Sequence, residues 1–326
     1  MNLTGTRENR MKAIASLALA ALLATPALAQ FPTKSITLVM PYPPGSSTDG
    51  LARAVVAAAA ADLGQAIVVD NKPGADGLIA CADVAKAAPD GYRILFGTGG
   101  SLVAVPAIRK VPPYDAVKDF TPIAGLADFS HFLYVHPSFP ARNMAELIAH
   151  VKANPGKVNY ATGNNISLLT MAYLARDAGL DMVKVPYKGE PPALIDLLAN
   201  RVQVMSGTAL QVAQVKAGAL RALVTTLPKR IALLPEVPTM KESGLRDIPF
   251  GGGWVAFFGP AGMPREAVER LSKALIAANG TPAVQARMEQ FGLVPSPLKP
   301  EELGAHVKAQ TVVYADAVRE LKLALE

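Results

Sequence analysis

Cysteine is almost missing from this sequence: one residue in 326, Cys81. A disulfide framework and a Cys-rich metal cluster are thereby excluded, and the lone thiol reads as a small buried hydrophobe. Charge is also scarce, at 18% of residues, and the net charge of +6 is dispersed along the chain. No run of five basic residues occurs and there is a single tryptophan, so the basic stripe and stacking aromatics of a nucleic-acid surface are lacking. The four histidines show no metal-ligand spacing. His131 and His136 lie five apart on an expected strand, hence on opposite faces, and His150 and His306 fall on helical stretches at partly exposed positions. Neither a metal nor a cofactor is expected. The G-x-S-x-G elbow and the phosphate-binding G-x-x-x-x-G-K-[ST] are both missing.

What the chain has instead is apolar residues, 51% of the total, too many for a disordered chain. Its length allows about two domains of ~150 residues. The start carries its own pattern. Arg7, Arg10 and Lys12 precede an Ala/Leu-rich run from Ala13 to Leu23, and Ala27-Leu28-Ala29 follows before Gln30. A basic start, a short apolar run and an A-x-A site in that order form a secretory signal. The run is shorter than the ~20 apolar residues that span a bilayer. The expectation is a signal peptide over 1–29, cleaved near Ala29/Gln30, and an exported, periplasmic protein. Met11 is an alternative start. No cysteine precedes the cleavage point, so no lipid anchor is expected.

Beyond it, short β-rich runs alternate with helical patterns. Ser35–Met40, Ala66–Asp70 and Arg93–Gly97 read as strands, separated by helices over Leu51–Leu63 and Leu78–Ala87. The same grammar returns with strands at Phe132–Val135, Val158–Ala161, Val183–Pro186, Val202–Met205 and Arg221–Thr225. Helices Met144–Lys152, Leu168–Asp177 and Pro192–Leu198 lie among them. Strand–helix alternation predicts crossovers and mainly parallel sheets flanked by helices. Trp254–Phe258 reads as a strand and the remainder as helices. The stretches Phe120–Asp128 and Gly251–Gly253 are the candidate crossovers. The expected division is 30–127 plus 251–326 against 128–250, with a ligand cleft beyond the carboxyl ends of the strands.

The loops at those strand ends are short of charge and rich in hydroxyls. Tyr42-Pro43-Pro44-Gly45-Ser46-Ser47-Thr48-Asp49 leads into a helix, whose start presents amides without intrahelical acceptors and a partial positive charge. Small anions bind such places, and Ser47, Thr48 or Asp49 also reads as an N-cap. Gly97-Thr98-Gly99-Gly100-Ser101 has the same character but fails the dinucleotide fingerprint, because position 102 is Leu. Thr162-Gly163-Asn164-Asn165-Ile166-Ser167 repeats the chemistry in the second unit.

These motifs, with Asn71-Lys72-Pro73-Gly74-Ala75-Asp76-Gly77, Ala85-Lys86-Ala87-Ala88-Pro89-Asp90-Gly91-Tyr92, Val185-Pro186-Tyr187-Lys188-Gly189 and Leu234-Pro235-Glu236-Val237-Pro238-Thr239, carry a resemblance over the whole chain beyond the signal. The sequence resembles the periplasmic solute-binding proteins of tripartite tricarboxylate transporters, the Bug-type receptors. The resemblance implies a two-domain periplasmic-binding-protein (Venus flytrap) fold. It also implies that a small organic carboxylate is held by the strand-end loops, partly through ordered water. By position it carries over Ser46, Ser47, Thr48, Asp49, Thr98, Ser101, Thr162, Asn164 and Asn165. Tyr42, Ser167, Lys188 and Thr208, on or beside the same loops, complete the candidate ligand-binding set.

Three stretches depart from the family pattern. Ser46-Ser47 stands where glycines are common after Gly45. Asn164-Asn165-Ile166-Ser167 replaces a Gly/Ser-rich stretch with a Ser-His pair. Met205-Ser206-Gly207-Thr208 replaces Met-Phe-Asp/Asn. Lys188 reads either as a carboxylate contact or as a solvated turn lysine, and Trp254 as a cleft wall or as packing between domains. The function implied is a monomeric receptor that delivers its ligand to membrane transporter subunits. A receptor feeding a sensor kinase is one alternative. An exported hydrolase is another, but it lacks an evident base for a serine nucleophile.

Overall fold

The computed structural model describes residues 31–321; the signal peptide expected over 1–29 and its expected cleavage point lie outside the described residues. The chain forms two α/β domains, each built on its own sheet. The first sheet has the order β11-β4-β10-β3-β1-β2 and the second β7-β6-β8-β5-β9. In the first sheet β1 is Ile36–Met40, β2 Ile67–Asn71, β3 Arg93–Thr98, β4 Phe120–Phe129, β10 Trp254–Pro260 and β11 Leu293–Pro295. In the second, β5 is His131–Val135, β6 Asn159–Thr162, β7 Val183–Pro186, β8 Val204–Thr208 and β9 Arg221–Thr225.

Both sheets are mixed rather than mainly parallel. β1 runs parallel to β2 and β3, but β10 is antiparallel to both β3 and β4. Likewise β6 is parallel to β7 and β8, while β5 opposes β8 and β9. The reason is topological. A strand that arrives from the other domain enters its sheet at the interface end, so it must run against neighbours whose carboxyl ends point to that interface. β5 and β10 are these arriving strands. The stretch expected as a crossover, Phe120–Asp128, is therefore β4 itself, and the chain passes between the sheets at Ser130.

Helix α1, Ser47–Leu63, begins at an N-cap and ends at Gly64, whose φ of 70° is a left-handed conformation that glycine adopts without strain. Its face of Leu51, Val55, Ala59 and Leu63 is buried, as is the facing stripe Val268, Leu271 and Leu275 of α8, Arg265–Asn279. Both pack on one side of the first sheet, with Phe96 and Phe257 in T-shaped contact between them. The other side carries α2, Leu78–Ala85, a π-helical turn at Gly99–Ala104 that continues into α3, Val105–Ala107, and the terminal helix α10, Pro300–Glu320. The second domain contributes α4, Met144–Ala153, α5, Asn165–Ala178, α6, Glu190–Leu198, and α7, Val212–Lys216. α9, Pro282–Phe291, precedes β11.

The two domains share a core. Leu95 and Phe258 of the first sheet belong to the same buried cluster as Leu133 and Val204 of the second. α10 closes the junction: Tyr314 lies 5.3 Å from Phe250, Phe250 lies 6.3 Å from Tyr173 of α5, and Arg176 pairs with Glu320 at 2.6 Å. Among the described residues no helix is long and apolar enough to cross a membrane.

Candidate functional site

The loops after β1, β3, β6, β7 and β8 all leave carboxyl ends that face the domain interface, and hydrogen bonds join them in two groups. In the first domain Ser46, not Ser47, Thr48 or Asp49, caps α1: its Oγ accepts from the Asp49 amide at 3.2 Å and lies 3.2 Å from Thr48 Oγ1. Ser47 opens the helix, and its side chain lies outside the described residues. Asp49 is buried, with Oδ2 accepting from the Gly45 amide at 3.0 Å and from Arg53 Nε at 2.9 Å, and Oδ1 from Asn71 Nδ2 at 2.9 Å. Burial alone would raise its carboxyl, but the bonds from Arg53, Asn71 and Gly45 outweigh that and hold it below the ordinary carboxylate value. Asp49 thus fixes the shape of the loop.

Tyr42 Oη meets Thr98 Oγ1 at 2.9 Å and joins this loop to the next. Burial pushes that phenol up to about 12, so it stays protonated. Thr98 and Ser101 form a capping box: the Ser101 amide donates to Thr98 Oγ1 and the Thr98 amide to Ser101 Oγ, each at 3.1 Å. Between them Gly99 is buried and Gly100 is partly exposed. A Cβ on Gly99 would stand 3.1 Å from Trp254 Nε1, and one on Gly100 would meet only Thr98 Oγ1 and Ile166 Cγ1, at 3.6 and 3.9 Å.

In the second domain Asn164 caps α5, its Oδ1 accepting from the Ser167 amide at 2.8 Å. Ser167 is fully buried, and its hydroxyl donates to the Asn164 carbonyl and accepts from the Gly163 and Asn164 amides. It holds the loop rather than facing it. Thr162 is buried and its carbonyl accepts from the Tyr187 amide at 2.9 Å. Gly163 presses on the Gly189–Glu190 peptide, where a Cβ would come within 2.8 Å of backbone. Asn165, in the first turn of α5, has a buried Nδ2 without a partner. Lys188 is exposed.

Sequence reasoning missed the hub of this group. Glu190 is 9% exposed. Its Oε1 accepts from Asn164 Nδ2 at 3.2 Å. Its Oε2 accepts from the Thr208 amide at 3.2 Å, Thr208 Oγ1 at 2.8 Å and Gln211 Nε2 at 3.2 Å. An acid ahead of Pro191-Pro192 reads simply as a helix start, which masked it. Asn71 and Arg53 were missed as well, although Asn71 stood in a quoted motif.

The two groups meet across the interface. Ile166, next to Asn165, reaches across to Gly100, where its Cγ1 would lie 3.9 Å from a Cβ, and it also approaches Gly253 of the return crossover. Trp254 is buried, with its ring 5.5 Å from His306 and 6.0 Å from Phe258. On one side it abuts Gly99 of the loop after β3, and on another it lines a cavity of about 310 Å³ with Asp128, Gly253 and His306. Among the described residues no histidine side chain is hydrogen-bonded to these loops, and no group of three His, Cys, Asp or Glu could hold a metal.

The family model described as the tripartite tricarboxylate transporter family receptor matches residues 51–313. The chain belongs to that family. BugT of Bordetella pertussis is 31% identical over 296 residues, covering 89% of this chain and 90% of that relative. Among solved structures, MatC from Rhodopseudomonas palustris with bound malate is 32% identical, with a TM-score of 0.77 over 88% of this chain and all of that one. An R. palustris protein with adipate is 30% identical, with a TM-score of 0.79 over 90% and 98%. The family consists of periplasmic solute-binding receptors, not enzymes, and so the hydrolase alternative falls.

Proposed function

We propose that this receptor captures a small organic carboxylate in the cleft between its domains and delivers it to the membrane subunits of a tripartite tricarboxylate-type transporter. It is exported after cleavage near Ala29/Gln30 and works as a monomer. Its moving lobes follow the expected division, 30–127 plus 251–326 against 128–250, with the first seam shifted to Ser130 because Asp128 and Phe129 belong to β4. The observation that carries the reading is the approach of the Gly99-Gly100 turn to the first turn of α5, within reach of one ligand. Relatives with malate and adipate bound support the ligand class. The ligand carboxylate rests on backbone N–H groups at the starts of α1 and the π-helical turn, which needs no arginine. Ser46, Ser47, Thr48, Thr98 and Ser101 line it from the first domain, and Thr162, Asn164, Asn165 and Thr208 from the second. Tyr42 and Asp49 shape the first wall, and Lys188 stands at the rim.

A ligand favours the closed form only if it touches both domains. The test is a thermal-shift screen of the exported protein against mono-, di- and aromatic carboxylates, followed by small-angle scattering. A ligand at 100 times its Kd is expected to add about 2.7 kcal/mol of stability, with a smaller radius of gyration. No stabilisation by any carboxylate overturns the reading.

A further inference from the structure

Glu190 differs from an ordinary acid at a helix start. Such residues are solvated and interact with the helix dipole. Glu190 is turned inward instead and ties together Asn164, Thr208 and Gln211. Every one of those donors is neutral, and no ion pair among the described residues includes Glu190. Two titratable side chains of β5 interact with it, Tyr134 and His131, and the strand register pairs Thr208 with His131. His131 is 2% exposed, and burial lowers its imidazole so that it stays neutral, against the pull of Glu190. His131 Nδ1 is buried without a partner. The second wall of the cleft therefore carries a carboxyl group with neutral donors and no cationic partner among the described residues, in a poorly screened place. A carboxylate offers about four acceptor sites. Oε2 is crowded by its donors, while Oε1 accepts only from Asn164, the residue that caps the helix facing Gly100.

We infer that Glu190 makes this wall select a carboxylate whose far end carries a hydrogen-bond donor or a positive charge, over one that ends in a second carboxylate. The first domain takes the anionic end at its helix-start amides, and the second domain repels another anion and accepts a hydroxyl or ammonium group. The inference rests on the carboxylate-receptor reading and adds the polarity of the ligand to it.

Calorimetric titration of the wild type with length-matched pairs tests it: succinate against 4-aminobutyrate and 4-hydroxybutyrate, and glutarate against 5-aminopentanoate. The donor-bearing acid is expected to bind at least tenfold tighter than its dicarboxylate partner. Glu190→Gln keeps the shape and removes the charge, so it is expected to narrow that ratio at least fivefold. Dicarboxylates that bind as tightly as their partners overturn the inference and leave the receptor reading intact. An unchanged ratio in folded Glu190→Gln does the same. If no acid of either class binds the wild type and the broader screen is also blank, the receptor reading itself fails and the inference with it. Where Glu190→Gln does not fold, the wild-type ratio decides alone.

Discussion

Each domain buries one carboxylate behind its cleft loops, and the two are held by different means. Asp49 and Glu190 both accept backbone and side-chain donors from several loops, so each acts as a brace. Asp49, however, faces the Arg53 guanidinium at 2.9 Å, while Glu190 has only neutral donors. The first wall is electrically closed and leaves its helix-start amides to set the local field. The second has a carboxyl group without a cationic partner among the described residues. A brace and a specificity device are thus the same type of residue, separated by whether a counter-ion is supplied.

The largest effect is expected where the first brace is removed. Asp49→Ala strips acceptors from Gly45, Asn71 and Arg53 at once. Hydrogen bonds to a charged group are worth about 1.5–3 kcal/mol each and do not add fully, so a loss of roughly 3 kcal/mol is expected. Arg53 is half exposed, so its freed charge is rehydrated rather than stranded. Urea denaturation with an unchanged slope measures the loss. A loss below about 1 kcal/mol, within the range of an ordinary single bond, would show that the loop holds its shape without Asp49.

The second brace is probed through Asn164. Asn164→Ala removes the N-cap of α5 and is expected to cost about 1 kcal/mol, so its binding defect must be read against its stability. Asn164→Asp sharpens the contrast between the walls. Aspartate caps as well as asparagine in isolation, but here it would set a second carboxylate where Nδ2 now donates to Glu190. It is expected to be no better than alanine. An Asp variant as stable as wild type would mean that Glu190 carries no charge.

Acid titration comes next. Burial depresses His131, so the unfolded chain takes up a proton near pH 6.5 while the folded chain does not. The stability linked to His131 is fully present above pH 6.5 and falls as pH drops from there toward its lower folded value, by about 1.4 kcal/mol per pH unit at most. His306 is depressed by burial too and acts in the same direction. Asp128 is raised by burial and opposes them, favouring the fold at low pH. Denaturation midpoints from pH 7 to 5 are expected to fall for wild type and to fall less for His131→Gln. Equal slopes would remove His131 from the account.

Much of this could be read from the residues. Strand–helix alternation and the hydroxyl-rich strand ends were visible because periodicity and turn composition are local. The direction of β5 and β10 was not, since it depends on where the chain re-enters a sheet after visiting the other. Phe120–Asp128 looked like a connector because Thr121, Pro122 and Gly125 break the apolar run, yet the strand accommodates Pro122 where the register with β10 shifts. The Ser167 hydroxyl closes a capping box with Asn164, as Ser101 does with Thr98, and composition does not separate that role from ligand contact because a capping box and an anion loop use the same residue types. Glu190 was hidden for a similar reason: an acid before Pro-Pro is common at a helix start, and only the fold turns it inward.

The smallest effect is expected at Lys188, and it bears on the first wall. If the amides at the starts of α1 and the π-helical turn supply the attraction for the anionic end, no cationic side chain is required. Lys188 is exposed, and an exposed ion pair is worth at most about 1 kcal/mol. Lys188→Ala is therefore expected to leave stability within about 0.5 kcal/mol of wild type. It should weaken the best ligand of the screen by no more than about fivefold, the affinity equivalent of that ceiling. Titration at low and moderate salt separates the two sources of attraction, because an exposed pair is screened while partly buried amides are screened much less. Abolished binding in a folded Lys188→Ala protein would move the source of attraction from the first domain's backbone to a side chain of the second. The ligand would then meet both Lys188 and Glu190 on one wall, and the division of labour between the domains would have to be redrawn.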